Sequence, residues 1–247
     1  MSYQTYIPWH ASVITLMPEM YPGPLEYSLI GDALEQNIFE LSVIPLRQFG
    51  IGKHQVVDDS PYGGGAGMVL KPDVVDSAII HAKTAQPEAE MIYLTPRGEP
   101  LKQRHFSELI QRPAIFLCGR YEAIDERVIE KYQPREISLG DFVLTGGDIA
   151  AMAIIDGCVR LLPGVIGDAE SLREESFGLD ADYCNLLEYP HYTKPAQWEG
   201  RAVPEILTSG HHANVARWRQ TQAEAFTKAR RSDLWQAYQE RLTSRTK

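Results

Sequence analysis

Hydrophobic positions in the first two-thirds of the chain fall into short apolar runs separated by stretches with a helical period. Residues 12–16 and 41–46 are runs of strand length, and residues 25–36 between them place apolar side chains at the spacing of one helix face. The alternation continues with a helix predicted over residues 73–82, a strand over 91–94, a helix over 102–110 and a strand over 114–118. A helix over 125–132, a strand over 136–139 and an apolar helix over 149–162 complete it. Strands alternating with helices predict an α/β domain with a mostly parallel sheet, since parallel neighbours need a crossover between them.

At Pro163 the pattern changes. Residues 163–185 are rich in Gly, Asp, Glu and Ser and hold no period, as an interdomain linker would. Beyond them Ser209-Gly210-His211-His212 precedes a long amphipathic stretch to residue 229, and Ser232 is placed to cap a last helix through residue 242. The expected division is a domain at 1–162, a linker at 163–185 and a small all-α domain at 186–247.

Charge refines that division. The chain of 247 residues carries a formal net charge of −9, yet residues 201–247 hold nine basic against four acidic side chains. A basic module on an acidic body can still bind phosphate locally, because salt screens repulsion beyond about 8 Å. The charge permits nucleic-acid binding without requiring it, and a solvated helical face accounts for it equally. No run approaches the roughly 18 apolar residues of a membrane span, and the first residues lack the layout of a signal peptide. Cys118, Cys158 and Cys184 are far apart and odd in number, which speaks against disulfides or a zinc site and fits a reducing cytosol.

Three segments share one layout, a strand end followed at once by glycine or proline. They are Leu94-Thr95-Pro96-Arg97-Gly98, Leu117-Cys118-Gly119-Arg120-Tyr121-Glu122, and Leu139-Gly140-Asp141-Phe142-Val143-Leu144-Thr145-Gly146-Gly147. Ligands of open α/β sheets sit beyond the carboxyl ends of strands, so three such ends predict a small-molecule pocket. Asp141 and Glu122 would suit a cationic ligand, although turn carboxylates are common. The loop Gly63-Gly64-Gly65-Ala66-Gly67 offers accessible backbone N–H groups, but no Walker lysine follows it and no GxGxxG occurs. Arg160 in an apolar stretch is either a helix-edge cation or an oxyanion donor. The stretch Tyr189-Pro190-His191-Tyr192-Thr193-Lys194 would suit contacts to RNA or a structured loop.

Together these strings resemble the bacterial tRNA (guanine-N1)-methyltransferase family, TrmD, of the SPOUT superfamily. The resemblance rests on Val57-Asp58-Asp59 with Pro61-Tyr62-Gly63-Gly64-Gly65, on Cys118-Gly119-Arg120-Tyr121-Glu122 with Ile124-Asp125-Glu126-Arg127, and on residues 140–147. Leu187-Glu188-Tyr189-Pro190-His191-Tyr192-Thr193 and Ser209-Gly210-His211-His212 extend it over nearly the whole chain. It implies a deep trefoil knot near the end of the α/β domain, an obligate homodimer, and a cytoplasmic enzyme. The implied reaction moves a methyl group from S-adenosylmethionine to N1 of guanine 37 in tRNA, beside the anticodon, with dependence on Mg2+ whose ligands the sequence does not name. Gly119, Leu139, Gly140, Asp141, Phe142, Val143 and Leu144 match the family's cofactor positions, with Pro96, Tyr121, Glu122, Gly146 and Gly147 beside them. Arg160 matches the guanine-contacting arginine. The catalytic aspartate falls in an Asp-Ser-Phe string that reads Glu175-Ser176-Phe177 here, so a carboxylate is kept on a side chain one methylene longer.

The chemistry implied is a general-base reaction. Guanine N1 is a poor nucleophile until its proton leaves, a task for Glu175, and the negative charge then spreads to O6, where Arg160 would stabilise it. Two rivals stand beside this reading. One keeps the fold as an RNA-binding relative that does not methylate; the other uses the glycine-rich loop as a phosphate cradle for a nucleotide.

Overall fold

The apolar runs become strands β1 (Trp9–Thr15), β2 (Phe39–Pro45), the two-residue β3 (Asp58–Asp59) and β4 (Val69–Leu70), β5 (Glu90–Pro100), β6 (Ala114–Cys118), the short β7 (Ala123–Ile124) and β8 (Arg135–Ser138). Between them lie helices α1 (Ser28–Glu35), α2 (Pro72–Ala85), α3 (Gln103–Leu109) and α4 (Glu126–Tyr132), with α5 (Asp148–Val159) after β8. The computed structural model describes residues 8–167, 172, 175–178 and 183–245. The chain divides into two compact units, residues 1–167 and 168–247.

In the first unit five strands pair in the order β2-β1-β6-β5-β8, every pair parallel. Side chains alternate across this sheet, and each face has its own core. Ala114, Phe116 and Cys118 of β6 join Ile92 and Leu94 of β5 on the face covered by α1, α3 and α5. Ile115 and Leu117, with Met91 and Tyr93, meet α2 and α4 on the other. Strands apolar at nearly every position are what a sheet covered on both faces requires. The predicted α/β class with a mostly parallel sheet is therefore observed.

Several expected boundaries move for local reasons. The helix expected over residues 25–36 is broken, with a 3-10 turn at Gly23–Glu26 and an α-helix only from Ser28, whose φ is +55°. The strand expected at 91–94 continues to Pro100, because its pairing with β8 skips from Leu94 to Glu99. That irregularity pushes residues 95–98 out of the ladder at the carboxyl end of β5. The apolar helix expected to reach residue 162 ends at Val159, so Arg160 is its C-cap and not an interior residue.

The second unit holds α6 (His212–Arg230) and α7 (Ser232–Arg245). Between the described turn at residues 183–185 and α6, Gln197–Trp198 (β9) and Arg201–Ala202 (β10) pair antiparallel, so the module expected to be wholly helical contains a hairpin. Its core is small: Tyr183, Leu186, Tyr189, Ala223 and Tyr238, with Trp218 and Trp235 packed against them. Buried Thr227 accepts a hydrogen bond from Leu187 N (2.8 Å) and donates to Ala223 O (2.7 Å), tying the segment before the hairpin to α6. Among the described residues no helix is long and apolar enough to cross a membrane.

Candidate active site

All three strand-end segments meet at one open cleft at the carboxyl ends of β5, β6 and β8. Its lining includes Pro96 from the β5 irregularity, Gly119, Tyr121 and Glu122 after β6, and Leu139, Phe142, Val143, Leu144, Gly146 and Gly147 after β8. Ten of the twelve residues expected to hold a cofactor thus line one wall or another. Gly140 and Asp141 do not line it; they form the turn that carries Phe142 there. That turn is closed locally, with Phe142 N donating to Gly140 O (2.9 Å) and Gly140 N to the Ser138 hydroxyl oxygen (3.2 Å).

The loops after β6 and β8 are joined twice. Gly147 N donates to Gly119 O at 3.0 Å, and Arg120 and Gly146 form an isolated antiparallel bridge. Close approach is the reason for glycine at 147: a Cβ there would stand 2.9 Å from Cys118 Cα, a backbone atom that cannot yield. Arg120 then crosses over Gly146 to reach Asp148, the first residue of α5, with Nε and Nη2 at 3.0 and 2.9 Å from Oδ2. Thr15 Oγ1 donates to Asp148 Oδ1 at 2.5 Å and the Tyr21 hydroxyl at 3.3 Å. A buried acceptor-only carboxylate surrounded by donors, at a helix N-terminus, is well matched to its surroundings. Removing one partner of such a buried pair costs on the order of 3–5 kcal/mol.

The glycine-rich loop stands at the rim. Gly63, Gly64, Gly65 and Gly67 all have φ between +76° and +124°, which L side chains rarely adopt. At Gly67 the lack of a side chain also makes room for Glu122, whose Cγ would be 2.4 Å from a Cβ there. Glu122 N donates to Met68 O (3.0 Å), and β4 then pairs with β7. A strand follows this loop, not a helix N-terminus, so it lacks the geometry of a P-loop.

Chemically the cleft offers backbone amides and carbonyls, apolar walls from Leu139, Val143, Leu144 and Ala150, and the Glu122 carboxylate. Cys118 precedes it but is buried, and burial pushes its thiol well above the usual range, so it is no ready nucleophile. Among the described residues no three His, Cys, Asp or Glu side chains cluster as metal ligands would.

The two expected catalytic residues lie in different units, and each is described within its own. Arg160 follows α5 and donates its backbone N–H to Asp156 O at 3.1 Å. Glu175 is half-buried in a turn closed by Gly178 N on its carbonyl (3.0 Å). Phe177 N on Leu186 O (2.9 Å) and Glu188 N on the Ser176 hydroxyl (2.9 Å) anchor that turn.

Of the aromatic stretch expected to meet RNA, Tyr189 is buried in the small core, with the Arg219 guanidinium 4.8 Å from its ring centre, while Tyr192 is exposed. Trp198 in the hairpin is exposed beside Arg201; neither was singled out from the pattern, since a hairpin of two-residue strands leaves no periodicity. Arg120 and Thr145 also line the cleft without having been singled out as site residues. Both lay inside quoted strings, and Asp148 directly follows one.

Comparison with known proteins agrees with this architecture. A sequence model described as tRNA (Guanine-1)-methyltransferase TrmD matches residues 9–237. A tRNA (guanine-N(1)-)-methyltransferase of Rhodospirillum rubrum is 52% identical over 235 residues, 95% of each chain. Those of Ruegeria pomeroyi and Brucella melitensis are also 52% identical, over 94% and 93% of this chain and 94% and 92% of their own. With identity at that level running from the first strand into the last helix, the chain belongs to the tRNA (guanine-1)-methyltransferase family TrmD.

Proposed function

We propose that the cleft at the ends of β5, β6 and β8 holds S-adenosylmethionine, and that Glu175 and Arg160 carry the methylation of guanine 37 at N1 in tRNA. The chain is a tRNA (guanine-N1)-methyltransferase by family and by relatives that span nearly its full length. The observation that carries the assignment of the cleft is the convergence of three glycine- or proline-bearing strand ends on one pocket. Its apolar walls suit a purine ring, its backbone groups suit the ring's edge, and Glu122 suits a cationic group. When bound, S-adenosylmethionine supplies an electrophilic methyl group on a sulfonium.

Guanine N1 gives its proton to the Glu175 carboxylate and takes the methyl group, while the electron pair of the broken S–C bond stays on sulfur. Arg160 donates hydrogen bonds to O6 as charge develops there. The target base leaves its stack to be reached, which an anticodon loop allows at modest cost. No step is assigned to Mg2+, for which the described residues offer no ligand cluster. Residues 163–185 serve as the linker that carries Glu175 between the domains at 1–162 and 186–247. The segment from 139 to 147, which passes beyond β8 and returns to bridge Arg120, is the part that would be threaded in a trefoil knot.

Incubation with labelled donor and bulk tRNA, followed by mapping of the modified nucleotide, tests the assignment. Label at N1 of guanine 37 is expected; binding of tRNA with no label incorporated would favour a non-methylating relative.

The working form is a cytoplasmic homodimer. Phe142, Val143 and Leu144, which line the cleft, and Ile149 on α5 are 55, 82, 41 and 51% exposed, large apolar side chains that a second copy would cover. Sedimentation should give a species near twice 27.8 kDa, and Ile149→Glu should dissociate it with loss of activity. A fully active monomer at assay concentration would contradict this.

A further inference from the structure

The reaction as written makes no use of Asp148. Its side chain is 1% exposed and stands behind the cleft, whereas Arg120, which it holds at 2.9 Å, lines the cleft. A further Arg120 hydrogen bond goes to the Met20 sulfur at 3.2 Å, a neutral acceptor. The charge of this lining residue is therefore balanced by the carboxylate that its guanidinium meets. Thr15 and Tyr21 fix that carboxylate from the other side. Burial raises the Tyr21 phenol far above its ordinary range, so it remains a neutral donor.

We propose that Asp148 is a specificity determinant: it cancels the charge of Arg120 so that the cleft accepts a positively charged donor. The inference rests on S-adenosylmethionine binding in this cleft. That donor carries one net positive charge through its sulfonium, and the thioether S-adenosylhomocysteine, otherwise the same molecule, carries none. An unbalanced guanidinium in the wall repels the first and leaves the second nearly untouched. An unbalanced unit charge in a partly desolvated wall changes affinity for a charged ligand by roughly tenfold or more.

Calorimetric Kd values for both ligands on the full-length protein test this. Asp148→Asn should weaken S-adenosylmethionine about tenfold more than S-adenosylhomocysteine. Arg120→Gln leaves the carboxylate unbalanced and should shift the ratio the other way. The double variant, neutral at both positions, should return the ratio to that of the wild type. A misplaced loop alone would weaken both ligands alike, so equal losses in both single variants overturn the proposal. If Asp148→Asn fails to fold by circular dichroism, Arg120→Gln and the double variant decide it, and an unchanged ratio in the former overturns it. A wild type that binds neither ligand would remove the reading of the cleft itself.

Discussion

Glu175→Gln should slow methyl transfer by about a hundredfold or more in single-turnover assays with tRNA and donor saturating. The substitution keeps the size and hydrogen-bonding shape of the side chain but removes its ability to take the N1 proton at neutral pH. The turn around Glu175 is closed by backbone Gly178 N and Phe177 N and by the Ser176 hydroxyl. Both affinities should stay nearly unchanged, because a proton acceptor acts mainly in the transition state. Glu175→Asp keeps the carboxylate but withdraws it by one methylene from an anchored turn, so a loss of roughly tenfold is expected. Near wild-type transfer by Glu175→Gln would move the base elsewhere. Glu188 would then come next, a carboxylate already paired with His191 at 2.8 Å; Glu174 lies outside the described residues.

How far the sequence disclosed this arrangement depended on whether a contact was local. Strand β6 was legible to its last residue, because a strand buried on both faces leaves an unbroken apolar run bounded by Pro113 and Gly119. The extension of β5 to Pro100 was not, since residues 95–98 leave the ladder and pair with nothing that the pattern can register. The apolar run continues to Leu162, which places Arg160 within the last apolar helix. The last turn of α5 closes at Val159 regardless, with Arg160 N bonded to Asp156 O. In the second unit Trp218 and Trp235 pack on the small core, as a module with so few buried side chains requires; no period in the chain marks them for it. The site followed the same rule. Glycines at strand ends are a local signal and led to the cleft. The Thr15–Asp148 bond joins positions 133 residues apart, and no spacing in the chain announces it.

Gly119→Leu should reduce affinity for S-adenosylmethionine by at least about a hundredfold while leaving the melting temperature close to that of the wild type. Gly119, Gly140 and Gly147 differ in what a side chain would meet, and the difference orders the outcomes. A Cβ at Gly119 would stand 3.4 Å from the Tyr93 ring, an ordinary contact, so the backbone accepts it and the rest of a leucine occupies the cleft. At Gly140 a Cβ would meet the Phe142 ring at 2.9 Å, and the φ of +157° is one that L side chains rarely adopt; Gly140→Ala should therefore strain the turn and displace one wall, costing binding moderately. At Gly147 the obstacle is Cys118 Cα. Gly147→Ala must then separate the two loops that the Gly147–Gly119 hydrogen bond joins, and overpacking of this kind costs about 1–3 kcal/mol of stability. Calorimetry for the donor, paired with thermal unfolding of each variant, distinguishes the three. Lost binding with unchanged stability at 119, and lost stability at 147, is the expected pattern. Unchanged donor affinity in Gly119→Leu would show that the ligand does not approach the end of β6, and the cleft would have to be reassigned.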